Sequence, residues 1–176
     1  LAVGATATQT TKPSGGYAYY KNGTLTLNNY SYEGKGYEYR AYYYAVIYSK
    51  IDLTLELVGT NSLKQTASYS DGIYVGVETS KEKLTIQGDG SLNVTSTYCG
   101  ILAWGLITVN GGTIISTATD GGGYKSSGIL SHLGCVIING GNVTVSGDYG
   151  LYPLNGYCEI YGGTVTATGI ERAIRY

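Results

Sequence analysis

The chain has 176 residues, with 28 glycines, 20 tyrosines and no phenylalanine; a chain of this length forms one domain with a core of its own. Its 11 basic and 12 acidic side chains nearly cancel, which excludes the basic footprint of a nucleic-acid binder and the polybasic segment of a membrane-surface anchor. No apolar run reaches the roughly 18 residues that span a bilayer, and two prolines beside 28 glycines exclude collagen and Pro-rich linkers.

Residues 1–16 are rich in Ala, Thr and Ser and lack hydrophobic periodicity. They read as a flexible N-terminal arm or linker of the kind that follows a removed signal peptide. Residues 17–176 read as a single domain that opens with a Tyr-rich cap. Low charge with abundant Gly, Thr, Asn, Ser and Tyr suits an exported bacterial protein, so the expected location is secreted or cell-surface. Tyrosines gather at Tyr17, Tyr19 and Tyr20 and again from Tyr30 to Tyr48. The run Tyr37–Tyr44 is not core-like, because alternate residues of a strand face outward. Two readings stand for these rings. They cap the open N-terminal end of the fold, or they stack on sugar rings, using a flat face and a polar tip.

From Leu53 onward the chain repeats. Leu53–Leu63, Leu84–Leu92, Ile107–Ile114, Val136–Val143 and Cys158–Val165 align as apolar–polar alternations broken by Gly-Asp-Gly or Gly-Gly, with Leu25–Asn28 as an earlier partial copy. A polar stretch follows each, then a short apolar strand that opens Gly72-Ile73, Gly100-Ile101, Gly128-Ile129 or Gly150-Leu151. The glycine pairs mark bends that need φ > 0. Each unit cannot bury its own apolar face, so the units must stack. The expected fold is all-β: a right-handed parallel β-helix (β-solenoid) of about five to six coils with three short strands per coil. Helix is excluded by the absence of a 3.6 period and by the glycine content. Cys99, Cys135 and Cys158 form no CxxC pair and read as small apolar residues in the stack.

Alternation also assigns faces. On the first two strands the outward rows are hydroxyl- and amide-rich, for example Thr95, Thr117, Ser146 and Thr168, which suits side-chain ladders along a pleated surface. The third strand differs. With Ile73, Ile101, Ile129 and Leu151 inward, the outward row is Tyr74, Leu102, Leu130 and Tyr152, and two residues later Gly76, Trp104, His132 and Leu154. An apolar, aromatic outer face is a ligand site, a self-association surface, or a surface covered by another segment. The candidate ligand-binding residues are Tyr74, Trp104, His132, Tyr152, Leu102 and Leu130. No catalytic residue is assigned: His132 has no nucleophile partner, and Arg40, Arg172 and Arg175 lie near the ends of the repeat region.

The pattern Leu84-Thr-Ile-Gln-Gly-Asp-Gly-Ser-Leu92, then Gly100-Ile101, then Ile107-Thr-Val-Asn-Gly-Gly-Thr113 resembles the right-handed β-helix repeats of secreted Gram-positive proteins labelled carbohydrate-binding. The resemblance covers residues 23–170, and the wider superfamily includes pectate lyases. It implies a secreted, non-catalytic carbohydrate-binding module that recognises polysaccharide through its aromatic face. The alternative is a structural or protein-interaction domain of a cell-surface protein, using that face for adhesion or a homodimer; a polysaccharide lyase or hydrolase is the third reading. Calcium-binding relatives carry Asp-Asp-Gly-Ile, echoed here only by Ser70-Asp71-Gly72-Ile73. Any calcium site would fall to Asp71 and Asp148, which precede third strands.

Overall fold

The computed structural model describes residues 2–3, 15–119 and 125–175. All regular structure among them is strand: β1 (Ala2–Val3), β2 (Tyr17–Lys21), β3 (Thr24–Asn28), β4 (Ser31–Gly34), β5 (Tyr37–Arg40), β6 (Tyr43–Ser49), β7 (Leu53–Val58), β8 (Thr60–Gln65) and β9 (Asp71–Val75). The repeat then supplies β10 (Leu84–Gly88), β11 (Ser91–Ser96), β12 (Cys99–Ala103), β13 (Ile107–Val109), β14 (Thr113–Ala118), β15 (Ser127–Ser131), β16 (Val136–Ile138), β17 (Asn142–Pro153), β18 (Cys158–Ile160) and β19 (Thr164–Ile174). The expected arm at residues 1–16 lies almost wholly outside the described residues, apart from the pairing of β1 with β6. No helix of the described residues is long and apolar enough to cross a membrane.

The expectation of a right-handed parallel β-solenoid, with three separate short strands in each coil, is corrected. The strands form two sheets, of twelve and seven strands, and both are mixed. The tyrosine-rich segment turns back on itself twice, so β2 pairs antiparallel with β3 and β5 with β6. In the last two repeat units, β17 and β19, the second and third strands also fail to separate. Nothing interrupts Ser146-Gly147-Asp148-Tyr149, so β17 runs unbroken for 12 residues and pairs with β14, β15 and β19 in one sheet. The sequence reading placed a corner there because it counted three strands per unit. The backbone keeps its extended pairing through that corner, with only a register irregularity between Gly147 and Tyr149.

Elsewhere the repeat units pair in parallel, and apolar residues lie opposite apolar residues. Leu53, Leu84, Ile107, Val136 and Cys158 are successive partners in the seven-stranded sheet. Ile73, Ile101, Ile129, Leu151 and Ile174 are successive partners in the twelve-stranded one. Leu, Ile and Val from both sheets fill one core, with nearly every side chain excluded from water. One register differs from the aligned anchors: Leu92 faces Asn61, and Leu63 faces Val94. A slip of two residues keeps every side chain on its own face, so the cost is one polar group in the core. Asn61 is 1% exposed and satisfies its amide by accepting from Tyr30 N and donating to the carbonyls of Val58 and Ser91. Outside the core, side-chain ladders form along the first two repeat strands, including Gln87 to Glu56 and Ser146 to Thr117.

Two kinds of glycine shape the strands. Gly112, Gly141 and Gly163, each second in its pair, have φ of 81°, 87° and 83°, as the bends require. The glycines that open the third strands are demanded by space instead. A Cβ on Gly72, Gly100, Gly128 or Gly150 would lie within 3 Å of atoms that include Val94, Ser116, Val145 and Ala173 respectively.

Burial fades toward the end of the stack. Val136 and Ile138 are fully buried, whereas their partners Cys158 and Ile160 are partly or well exposed. Amide exchange should therefore be slowest in β10 and β13 and fastest in β18. Equal protection across the seven-stranded sheet would contradict the burial gradient.

Candidate functional site

The third-strand row is buried on both faces. Every residue of β9, β12 and β15 is buried. The outward ladder predicted from alternation exists, and Tyr48 from β6 extends it: Tyr48, Tyr74, Leu102, Leu130 and Tyr152 are successive partners. It is not an exposed face, however. Tyr74, Leu102 and Leu130 are 8%, 2% and 2% exposed. They form a second apolar cluster with Ala45, Tyr48 and Cys99, against which Tyr39, Tyr98, Trp104, Tyr152 and Leu154 pack. The tyrosine-rich hairpin is the covering segment, and the expected open aromatic surface becomes a groove at its margin.

Tyr39, on β5, is the central piece of the cover. Its ring stacks on Tyr74 at 4.3 Å and on Tyr48 at 5.4 Å between centroids, and Tyr37 stacks on Tyr48 at 5.4 Å. Such offset pairs add about 0.5–1.5 kcal/mol each beyond their buried area. Its hydroxyl donates to Asp71 Oδ2 at 2.7 Å. Two residues along the third strands stand Trp104 and His132, stacked at 4.2 Å with planes 11° apart. The Trp104 indole Nε1–H donates to the Tyr74 hydroxyl at 2.5 Å. The neighbouring position on the same row is Gly76, at φ 105°, where a Cβ would lie 2.9 Å from Trp104 Cβ. The sequence therefore leaves that position bare where the indole needs the room. Burial holds the His132 imidazole below its usual pKa, against an opposing pull from Glu78, so it stands neutral at pH 7.

These rings surround an open cavity of about 820 Å³. Its floor and walls carry Tyr39, Tyr43, Tyr48, Tyr69, Tyr74, Tyr98, Leu102, Trp104 and His132, and its rim carries Arg40, Lys50, Val77 and Glu78. Arg40 and Glu78 form an ion pair at 2.7 Å with both side chains about two-thirds exposed (66% and 64%). Exposure and screening hold such a pair to roughly 0–1 kcal/mol. Size and lining fit an organic ligand met by aromatic faces and a few polar groups.

Four of the residues singled out from sequence, Tyr74, Leu102, Trp104 and His132, line this cavity. Leu130 lies in the cluster beside it. Tyr152 stands further along the ladder, with the Arg175 guanidinium 4.5 Å over its ring and Tyr149 at 4.4 Å. Asp71 and Asp148 do not come together. Asp71 is fully buried, accepting from Tyr39 and from Cys99 N at 3.2 Å, whereas Asp148 Oδ2 accepts from Ser126 N at 2.8 Å and Ser126 Oγ at 3.0 Å. The ladder from Asp71 through Cys99 and Ser127 to Tyr149 puts Asp148 three strands away, or roughly 14 Å at the usual strand spacing. Among the described residues no group of three or more His, Cys, Asp or Glu gathers as metal ligands. Asp120 lies outside the described residues.

The lining residues that sequence reasoning did not assign are Tyr39, Arg40, Tyr43 and Tyr48 of the hairpin, with Lys50, Tyr69, Val77, Glu78 and Tyr98 beyond it. The signal for the hairpin residues was the Tyr30–Tyr48 concentration, which divides between two jobs. Tyr30 and Tyr32 pack on the main core, whereas Tyr39, Tyr43 and Tyr48 line the groove.

No curated protein and no solved structure matches the chain. Residues 21–172 do match a family model, described as carbohydrate-binding domain-containing protein. That span takes in β3 through β18, most of β19 and every residue of the groove, and it supports a carbohydrate-binding role. The chain belongs to the carbohydrate-binding domain-containing protein family.

Proposed function

We propose that this protein is a secreted or cell-surface, non-catalytic module that binds polysaccharide in the groove between the β5–β6 hairpin and the third-strand row. The observation that carries this reading is the convergence of Tyr39, Tyr43, Tyr74 and Trp104 on one open cavity in a member of a carbohydrate-binding family. A pyranose offers C–H faces to aromatic rings and hydroxyls to their polar tips. Tyrosine meets both needs with little rotamer freedom to lose. The low charge and the Gly-, Thr- and Tyr-rich composition support an extracellular setting. The separation of Asp71 from Asp148 supports binding over hydrolysis, which needs two carboxyls flanking one bond. The apolar face that would have served a homodimer lies under the hairpin, which favours the binding reading over self-association through that face.

The test is retention on a panel of neutral and acidic polysaccharides, read by co-sedimentation and by fluorescence of Trp104, the only tryptophan. Retention on one class with a shifted Trp104 emission is the expected result. Failure to retain on every class tested would overturn the reading. Repetition with calcium and with a chelator is expected to give equal retention, because Asp71 and Asp148 stand apart.

A further inference from the structure

Asp71 has no part in the ring contacts of the groove, yet it sits directly behind them. It is fully buried, and its two oxygens accept from a tyrosine of the hairpin and from a backbone amide of the sheet. The strand that carries Tyr39 needs such a tie. β5 pairs only with β6 and makes no ladder with β9 or β12. Beyond ring packing, the described polar side-chain ties from β5 to residues outside the hairpin are Tyr39 to Asp71 and Arg40 to Glu78. The second is exposed and contributes little. The first is buried, where a hydrogen bond to a charged or polar group is strong and its loss leaves an unsatisfied partner.

We infer that Asp71 is a positioning residue for the groove: it anchors Tyr39, and through Tyr39 the strand β5, from a place that no ligand reaches. Tyr39 in turn stacks on Tyr74, whose hydroxyl receives the Trp104 indole N–H. One carboxyl therefore sets the floor and, through Tyr74, the wall.

The anchor is sensitive to pH. The titratable groups that face Asp71 are the Tyr39 hydroxyl from β5, the Cys99 thiol from β12 and the Tyr74 hydroxyl on its own strand. Burial pushes the Tyr39 hydroxyl and the Cys99 thiol up, so both stay neutral at pH 7. Burial likewise pushes Asp71 up to about 7, against its hydrogen bonds from Tyr39 and Cys99. A carboxyl raised in this way favours the docked hairpin most when protonated. The docked state is fully favoured below the free-carboxyl pKa of 3.8. That advantage is lost as pH rises toward 7 and changes no further above it.

This inference rests on the groove being the glycan site, so the experiment carries a readout that needs no glycan. Amide exchange of residues 37–40, corrected for the intrinsic rate, is measured from pH 5 to pH 8 in the wild-type protein, in Asp71→Asn and in Tyr39→Phe. Affinity for the polysaccharide retained by the wild type is measured alongside. In the wild type, protection of β5 should fall by at least about tenfold between pH 5 and pH 7, and affinity should fall with it. Asp71→Asn keeps an acceptor for Tyr39 and leaves His132 in place, and its profiles should be flat. Tyr39→Phe keeps the ring and loses the donor, and its β5 should exchange at least about tenfold faster at pH 5. Identical profiles in the wild type and Asp71→Asn would overturn the pH sensitivity, and an unchanged β5 in Tyr39→Phe would overturn the anchor. Should Asp71→Asn not fold, Tyr39→Phe alone decides it. pH-dependent protection with no glycan retained would keep the anchor and remove the binding reading.

Discussion

Gly100→Val should lower the melting temperature by roughly 10 °C or more, or prevent folding, although Gly100 has an ordinary backbone conformation and touches no candidate site residue through a side chain. The reason is room. A Cβ at position 100 would coincide with the space of Ser116 Oγ and come within 2.8 Å of Gly128 O. Ser116 Oγ is itself buried and donates to Gly128 O at 2.7 Å. Overpacking a close-packed core costs about 1–3 kcal/mol, and displacing Ser116 from a buried acceptor adds about 1–3 kcal/mol. Against a total stability of about 5–15 kcal/mol, that is a large fraction, and each kcal/mol moves the midpoint of a chain this size by about 2–4 °C. Thermal unfolding by circular dichroism measures it. The mechanism makes a sharper demand than destabilisation. In Gly100→Ala the added methyl competes with Ser116 specifically, so Ser116→Gly should recover part of the loss in a double-mutant cycle. An additive cycle would show that the clash is not the cause.

The same glycine shows how far the sequence carries. The recurrence of Gly-Ile at residues 72, 100, 128 and 150 was legible as a repeat signal, but its cause was not, because the crowding side chain comes from a strand of the following repeat unit and not from a local turn. Period-2 alternation placed Leu53, Leu84, Ile107 and Val136 inward, and all are buried. It also placed Tyr74, Leu102, Leu130 and Tyr152 on one outward row, and they are partners in register. The number of sheets was not legible. Whether Ser146-Gly147-Asp148-Tyr149 turns or runs through depends on pairing with β19 and not on the four residues themselves. The register of β8 was hidden for a related reason: a two-residue slip preserves every face, so Leu63 and Asn61 compete for the place opposite Leu92 with no local pattern to choose between them. The cover of the third-strand row was the largest omission. A tyrosine-rich hairpin carries apolar area on both sides, and what lays β5 over the row here is long-range: the ring of Tyr39 on Tyr74 and its hydroxyl on Asp71, 32 residues apart.

Trp104→Ala should weaken polysaccharide binding by at least about thirtyfold while leaving the protein folded. The size follows from what the indole does. It is the largest ring on the groove wall, it stacks with the neutral His132, and it donates to Tyr74. A buried aromatic at the centre of a binding surface is worth about 2 kcal/mol or more on truncation, and each 1.4 kcal/mol is tenfold in affinity. The main core does not depend on it, because Trp104 packs on the second cluster only, so the melting temperature should fall by only a few degrees. Trp104→Phe separates stacking from the hydrogen bond. It retains a ring against His132 and removes the N–H to Tyr74, so affinity should drop by about fivefold, the net worth of a single hydrogen bond near 1 kcal/mol. Isothermal titration at fixed pH, with circular dichroism as the control for folding, measures both variants. Wild-type affinity in a folded Trp104→Ala protein would move the glycan off this wall, either to the Tyr39, Tyr43 and Tyr69 side of the cavity or to Tyr149 and Tyr152 beyond it. Equal losses in Trp104→Ala and Trp104→Phe would instead assign the work to the indole N–H, making the hold on Tyr74, and not the ring face, the source of affinity.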